Sequence, residues 1–96
     1  MQKIIFEWDE EKNRANVRKH GIDFALALKV FDDPYYLEFY DTLHSTRREE
    51  RFIVYGLVER VLVVVYTVRS PALRIISAWV GDEREQDFYY KGGKQT

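Results

Sequence analysis

The stretch Val61-Leu62-Val63-Val64-Val65-Tyr66-Thr67-Val68, followed by Arg69-Ser70-Pro71-Ala72-Leu73 and then Arg74-Ile75-Ile76-Ser77-Ala78-Trp79, decides the fold. The first run is almost wholly apolar or β-branched, with no polar residue before Thr67. A strand of that composition is wetted on neither face, which predicts a central strand over Val61–Val68. Pro71 fixes its own φ and pushes Ser70 toward extended geometry, so Arg69–Ala72 reads as a turn. Arg74–Trp79 then returns antiparallel. Strict alternation puts Arg74 with Ile76 and Ala78 on one face, and Ile75 with Ser77 and Trp79 on the other.

Upstream of this hairpin, Ile4–Trp8 reads as a short strand and Asp9 as the N-cap of a helix over Glu10–His20. Glu10 and Glu11 complement the positive end of its dipole, Arg18, Lys19 and His20 the negative end, and Gly21 suits the residue beyond it. Apart from Ala15 and Val17 its interior is polar, so the helix is expected to lie on the surface of something else. Lys12, Asn16, Lys19 and His20 share one side of it. Most such faces are merely solvated; the sharper reading is a polar edge that lines a phosphate groove.

Asp23 caps a second helix over Phe24–Phe31, with Phe24, Ala27, Leu28 and Phe31 as an apolar stripe, and Asp32-Asp33-Pro34 ends it. Tyr35–Tyr40 is strand-like, Asp41–Glu50 a polar loop, and Arg51–Val58 another strand. Glu59-Arg60 turns it into the central run. Asp82 caps a short helix over Glu83–Tyr90. The expected architecture is an α+β domain of order β-α-α-β-β-β-β-α: a twisted, mainly antiparallel sheet with two N-terminal helices on one face and a short C-terminal helix. One domain over residues 1–90 is expected, with a frayed tail over 91–96.

The composition narrows the function. The 96 residues hold 46% hydrophobic positions, which excludes a disordered chain. No apolar run approaches the roughly 20 residues needed to span a bilayer, so a cytoplasmic protein without membrane contact is expected. There are no cysteines, which removes thiol catalysis and zinc–thiolate sites. The net charge is −1, so a nucleic-acid role must rest on local clusters. Those are Lys12, Arg14, Arg18 and Lys19 near the start and Arg47, Arg48 and Arg51 in the middle, against Asp82, Glu83, Glu85 and Asp87 near the end.

No metal-ligand spacing, phosphate-cradling glycine loop or marked nucleophile occurs, and no cofactor is expected. The residues that remain suit metal-free cleavage of a phosphodiester. That chemistry needs a group to take the 2′-OH proton, cations for the developing phosphorane charge and an acid for the leaving oxygen. His44, Arg51, Arg69 and Arg74 are the catalytic candidates. Lys12, Asn16, Lys19, His20 and Trp79 are the RNA-binding ones.

Phe6-Glu7-Trp8-Asp9, Lys12, Asn16, Lys19-His20-Gly21, Phe24, Val30-Phe31, Asp33-Pro34, Asp41, His44, Arg51, the run Val63–Arg69 and Arg74–Ala78 together resemble the BrnT family. BrnT proteins are the toxin half of bacterial type II toxin–antitoxin pairs. The resemblance covers nearly the whole chain and implies a RelE-like fold and a metal-independent endoribonuclease. It also implies a BrnA-like antitoxin as partner, operator DNA being contacted only through it; a homodimer is left open. Tyr36, Phe39 and Tyr40, with Tyr35, are the expected antitoxin surface, since tyrosines give large contact area with few torsions to freeze. One departure stands out: after Ala78 the family continues with basic residues, and here Trp79, Val80, Gly81, Asp82 and Glu83 follow. The resemblance thus implies either a ribonuclease with an altered site or a degenerate member that binds its antitoxin and cleaves weakly. A small interaction domain with incidental basic patches is the alternative outside the family.

Overall fold

The strand β4, Arg60–Arg69, lies at the centre of a five-stranded sheet, and the rest of the molecule is placed by it. The computed structural model describes residues 4–94. The other strands are β1 (Ile5–Glu7), β2 (Leu37–Tyr40), β3 (Arg51–Val58) and β5 (Ala72–Val80), in the order β1-β5-β4-β3-β2. β1 pairs with β5 in parallel and the other three pairings are antiparallel. The helices are α1 (Glu10–His20), α2 (Phe24–Ala27, continued by a 3-10 segment over Leu28–Asp32) and α3 (Glu83–Tyr90). The expected α+β order is the observed one. The expected single domain and frayed tail reach into residues 1–3 and 95–96, outside the described residues. Within the tail, the Gly93 N–H bonds the Phe88 carbonyl at 2.9 Å.

β4 is central because it can be: Val61–Thr67 are all buried, and only Val68 breaks the expectation by standing half exposed. One face of the sheet carries Leu62, Val64 and Tyr66, with Val54, Ile75 and Ala78, against Ile22, Phe24, Ala27 and Val30 from the helical layer. The opposite face carries Val61, Val63, Val65 and Thr67, and α3 packs there, Phe88 lying against the rings of Phe39 and Tyr55.

Three local expectations are corrected. Strict alternation along β5 fails, because Tyr66 pairs with Ile75 and Val65 with Ser77, leaving Ile76 as the extra residue of a bulge. Ile75 and Ala78 therefore share the core face, while Arg74, Ser77 and Trp79 share the other. The second helix stops at Ala27 and tightens into a 3-10 turn, since Val30 is pressed onto β3 at Gly56. A Cβ there would lie 2.6 Å from that of Val30. β2 starts at Leu37 rather than Tyr35, because the Asp33 carboxylate accepts the Tyr35 N–H (2.9 Å) and holds Tyr35 and Tyr36 in a turn.

α1 is specified at both ends as expected. Asp9 accepts the N–H groups of Glu11 and Lys12 (2.8 and 3.2 Å), and Gly21 takes the left-handed conformation, φ 73°. Its buried residues are two asparagines, Asn13 and Asn16, so the helix docks through hydrogen bonds. No helix among the described residues is long and apolar enough to cross a membrane.

Candidate functional site

Register assembles the cations. Arg51 on β3 is the partner of Thr67 on β4, and Thr67 is the partner of Arg74 on β5, so the three side chains form one row on the face opposite the helical core. Arg69 follows two residues beyond Thr67 on the same face, and α1 brings Lys12 and Asp9 from the side. Arg51, Arg69, Arg74 and Lys12 line a small cavity of about 70 Å³ together with Thr67, Asp9 and Glu49. Thr67 is buried and donates to the Glu50 carbonyl at 2.6 Å, which ties the end of the 41–50 loop to the row.

Carboxylates temper this charge. Glu49 accepts from Arg51 Nε at 2.8 Å. Arg74 Nε is buried and makes no hydrogen bond, and the nearest carboxylate oxygen, on Glu7, stands at 3.6 Å. The Lys12 N–H bond holds the Asp9 carboxyl below its ordinary value; the Glu11 N–H and the charges of Lys12 and Arg74 act the same way, against a smaller opposing effect of burial. Four cations face three carboxylates, so the cavity keeps a positive excess within a chain of net charge −1.

His44 does not line that cavity. It sits in the 41–50 loop, which closes beside Arg51: the Asp41 N–H bonds the Arg51 carbonyl at 2.8 Å, and Ser45 Oγ accepts the Arg51 N–H at 2.8 Å. Asp41 is buried and lies 2.9 Å from His44 Nδ1. A carboxylate only accepts, so Nδ1 carries a proton toward Asp41, on an imidazole whose side chain is 65% exposed.

Further along β5 the same face presents Ser77 and Trp79, and α1 runs beside them. Lys12 lies near Arg74 and Ile76, Asn16 at Ser77 and Ala78, and His20 at Trp79. From Lys12 to His20 the helix advances about 12 Å. From the Arg74 rung to the Trp79 rung the sheet advances four residues of β4, about 14 Å. Helix and strand are thus matched in length, with the cation cavity at one end of their contact and a separate open groove lined by Lys19, His20, Ser77, Trp79 and Val80 at the other.

Asn16 requires correction as an RNA-binding residue. Its amide donates to the carbonyls of Ile22 and Ala78, both at 2.8 Å, and its oxygen accepts from the Ala78 N–H (3.2 Å) and the Ser77 hydroxyl (3.3 Å). β1 pairs with β5 only as far as Arg74, and Asn16 satisfies the strand edge beyond it. Buried and fully bonded, it offers a ligand nothing. Tyr36, Phe39 and Tyr40 are all partly exposed, but they do not form one flat patch. Phe39 packs with Tyr55 and Phe88 on one face, Tyr40 with Phe52 on the other.

The chain is similar to known proteins in sequence and in fold. A family model described as the ribonuclease toxin, BrnT, of type II toxin–antitoxin systems matches residues 8–85. The chain belongs to the BrnT family. The crystal structure of the Brucella abortus ribonuclease toxin BrnT is similar over 86% of this chain and 100% of that one, with 30% identity and a TM-score of 0.62. No curated protein matches. Membership makes this BrnT protein the toxin of a type II toxin–antitoxin system, with an antitoxin as its partner. Sequence reasoning about the site missed Glu7, Asp9 and Glu49 as its negative members. It also missed Thr67 as the hinge of the row, although Thr67 is the one polar residue that interrupts the central run.

Proposed function

We propose that this BrnT toxin is an endoribonuclease that cleaves single-stranded RNA by attack of the substrate's own 2′-OH, without a metal. The observation that carries the reading is the row Arg51–Thr67–Arg74, joined by Arg69 and Lys12 around one cavity, with a buried Arg74 Nε that bonds no protein acceptor. A cavity of about 70 Å³ lined by four cations admits phosphate oxygens. Arg74 and Arg51 face the non-bridging oxygens as the phosphorane forms. His44, oriented by Asp41, takes the 2′-OH proton through Nε2. The 5′-oxygen departs as the 2′-oxygen bonds phosphorus and takes a proton from solvent, leaving a 2′,3′-cyclic phosphate and a 5′-hydroxyl.

The carboxylates Asp9, Glu7 and Glu49 favour a second reading, in which the cations are held in internal pairs and the protein binds its BrnA-like antitoxin but cleaves weakly. Incubation of a long single-stranded RNA with the purified protein in chelator separates the two. On the first reading cyclic ends appear, and Arg74→Ala and His44→Ala each slow cleavage by two to three orders of magnitude, as loss of one transition-state contact does. Absence of cleavage by the folded wild type leaves the second reading.

A further inference from the structure

The open groove at the C-terminal end of α1 differs in kind from the cation cavity. Trp79 and His20 place their rings 6.1 Å apart, tilted by 42°. Both, with Lys19, Ser77 and Val80, line an open groove of about 590 Å³. Trp79 is only half buried, so it fills no core position. Its indole N–H is nevertheless fixed, lying 3.2 and 3.3 Å from the two carboxylate oxygens of Glu85. Glu85 is fixed in turn, because its carboxylate accepts the Asp82 N–H (2.9 Å) while Asp82 accepts the Glu85 N–H (2.8 Å). A large aromatic ring is therefore locked by its polar edge at the border of a groove, next to a second ring and a lysine.

We propose that this groove is a base-stacking subsite for single-stranded RNA, in which a nucleobase lies on Trp79 beside His20 while Lys19 meets the flanking phosphate. The proposal rests on the reading of the cation cavity as the phosphate site. Every base has a π-face, and an aromatic ring held in one orientation binds it with little ordering left to do. The about 14 Å between the rungs of Arg74 and Trp79 sets the subsite a few nucleotides from the scissile phosphate, since even stacked nucleotides advance about 3.4 Å each. Glu85 deters a second phosphate on the indole edge, which favours an uncharged base there. Trp79 thus requires the strand to extend a few nucleotides beyond the cleaved phosphate.

The test uses Trp8→Phe protein, so that Trp79 alone fluoresces, and a short 2′-O-methyl oligoadenylate whose blocked 2′ position prevents cleavage. Abasic versions of it are scanned one position at a time. The oligonucleotide should quench Trp79, and one abasic position, away from the phosphate that binds Arg74, should weaken binding by about 5- to 150-fold. Trp79→Leu should weaken the intact oligonucleotide to the same extent and erase that positional penalty, whereas Trp79→Phe should keep most of both. Unchanged binding by a folded Trp79→Leu protein, with the abasic penalty intact, overturns the subsite. If Arg74→Ala still weakens every oligonucleotide alike in that case, the phosphate site stands without it. If the folded wild type binds no oligonucleotide at low salt, the reading of the cation cavity falls, and the subsite with it.

Discussion

Replacing Asn16 by alanine tests whether α1 is docked as described. The substitution removes donors to the carbonyls of Ile22 and Ala78 and an acceptor for the Ala78 N–H, all in a buried setting. A buried backbone group left without a partner costs about 1–3 kcal/mol, and water reaching the edge of β5 recovers part of that. A net loss of about 3–5 kcal/mol is expected, a large share of the roughly 5–15 kcal/mol that holds a domain of this size. At about 4–8 °C per kcal/mol, Tm should fall by about 12–40 °C. The measurement is urea and thermal unfolding of wild type and Asn16→Ala, with hydrogen exchange at Ala78. At a temperature where both are folded, RNA cleavage per molecule should be unchanged. A variant within about 0.5 kcal/mol of wild type, the usual range for a surface substitution, refutes the docking argument. It does so most directly if cleavage is lost at the same time, because Asn16 would then act on RNA and not on the fold.

Gly56→Ala should destabilise by about 1–3 kcal/mol or more, seen as a lower midpoint in urea, since its Cβ would meet Val30 Cβ at 2.6 Å and Val30 backbone atoms at 2.9 Å. Asp33 is buried, which raises its pKa, but bonds from the Tyr89 hydroxyl and the N–H groups of Leu57 and Tyr35 outweigh burial and hold it low. Burial and the Asp33 bond push the Tyr89 hydroxyl upward. A depressed carboxyl contributes stability that is present above its unfolded pKa of about 3.9 and lost as pH falls through the folded value, whereas a raised phenol loses its contribution above about 10. Unfolding midpoints should therefore be level between these limits and fall outside them, and Asp33→Asn should lower the plateau and shallow the acid limb. Trp79→Arg should fold, as Trp79 is half buried, but cleave more slowly in the same chelator assay, because the stacking ring is lost and Glu85 would pair with the new guanidinium.

Much of the fold could be read from the chain because its signals were local. β3 was bounded at Arg51 and Val58 by its own composition, and the caps Asp9, Gly21, Asp23 and Asp82 all act where the sequence put them. What was missed depended on contacts made elsewhere. Nothing in Ile75-Ile76-Ser77-Ala78 marks the bulge, because either isoleucine suits a core face. Pairing with β4 selects Ile75 and leaves Ile76 unpaired. A helical wheel gave the side of α1 on which Asn16 lies but not its depth, which follows from β1 ending at Glu7 and leaving an edge to be satisfied. The arginines of the site were nameable singly. Their meeting is a matter of register across three strands, and their carboxylate neighbours come from a strand, a helix cap and a loop.

The acidic C-terminal stretch argued against RNA handling when only composition was considered, and position reverses its weight. Asp82 and Glu85 sit at the start of α3, tied to Trp79, at the end of β5 remote from Arg74. The about 14 Å along β5 between the two rungs exceeds the Debye length of about 8 Å at physiological salt. Those charges are therefore largely screened from the cation cavity. The carboxylates that bear on a bound phosphate are Glu7, Asp9 and Glu49, which lie among the arginines themselves. Of these, Glu49 binds Arg51 most closely, at 2.8 Å, and both side chains are about a third exposed, where a pair contributes about 1 kcal/mol or less. A phosphodiester, or the more highly charged phosphorane that forms from it, can displace so weak a partner. The local positive excess, and not the total of −1, is then what an incoming strand meets first.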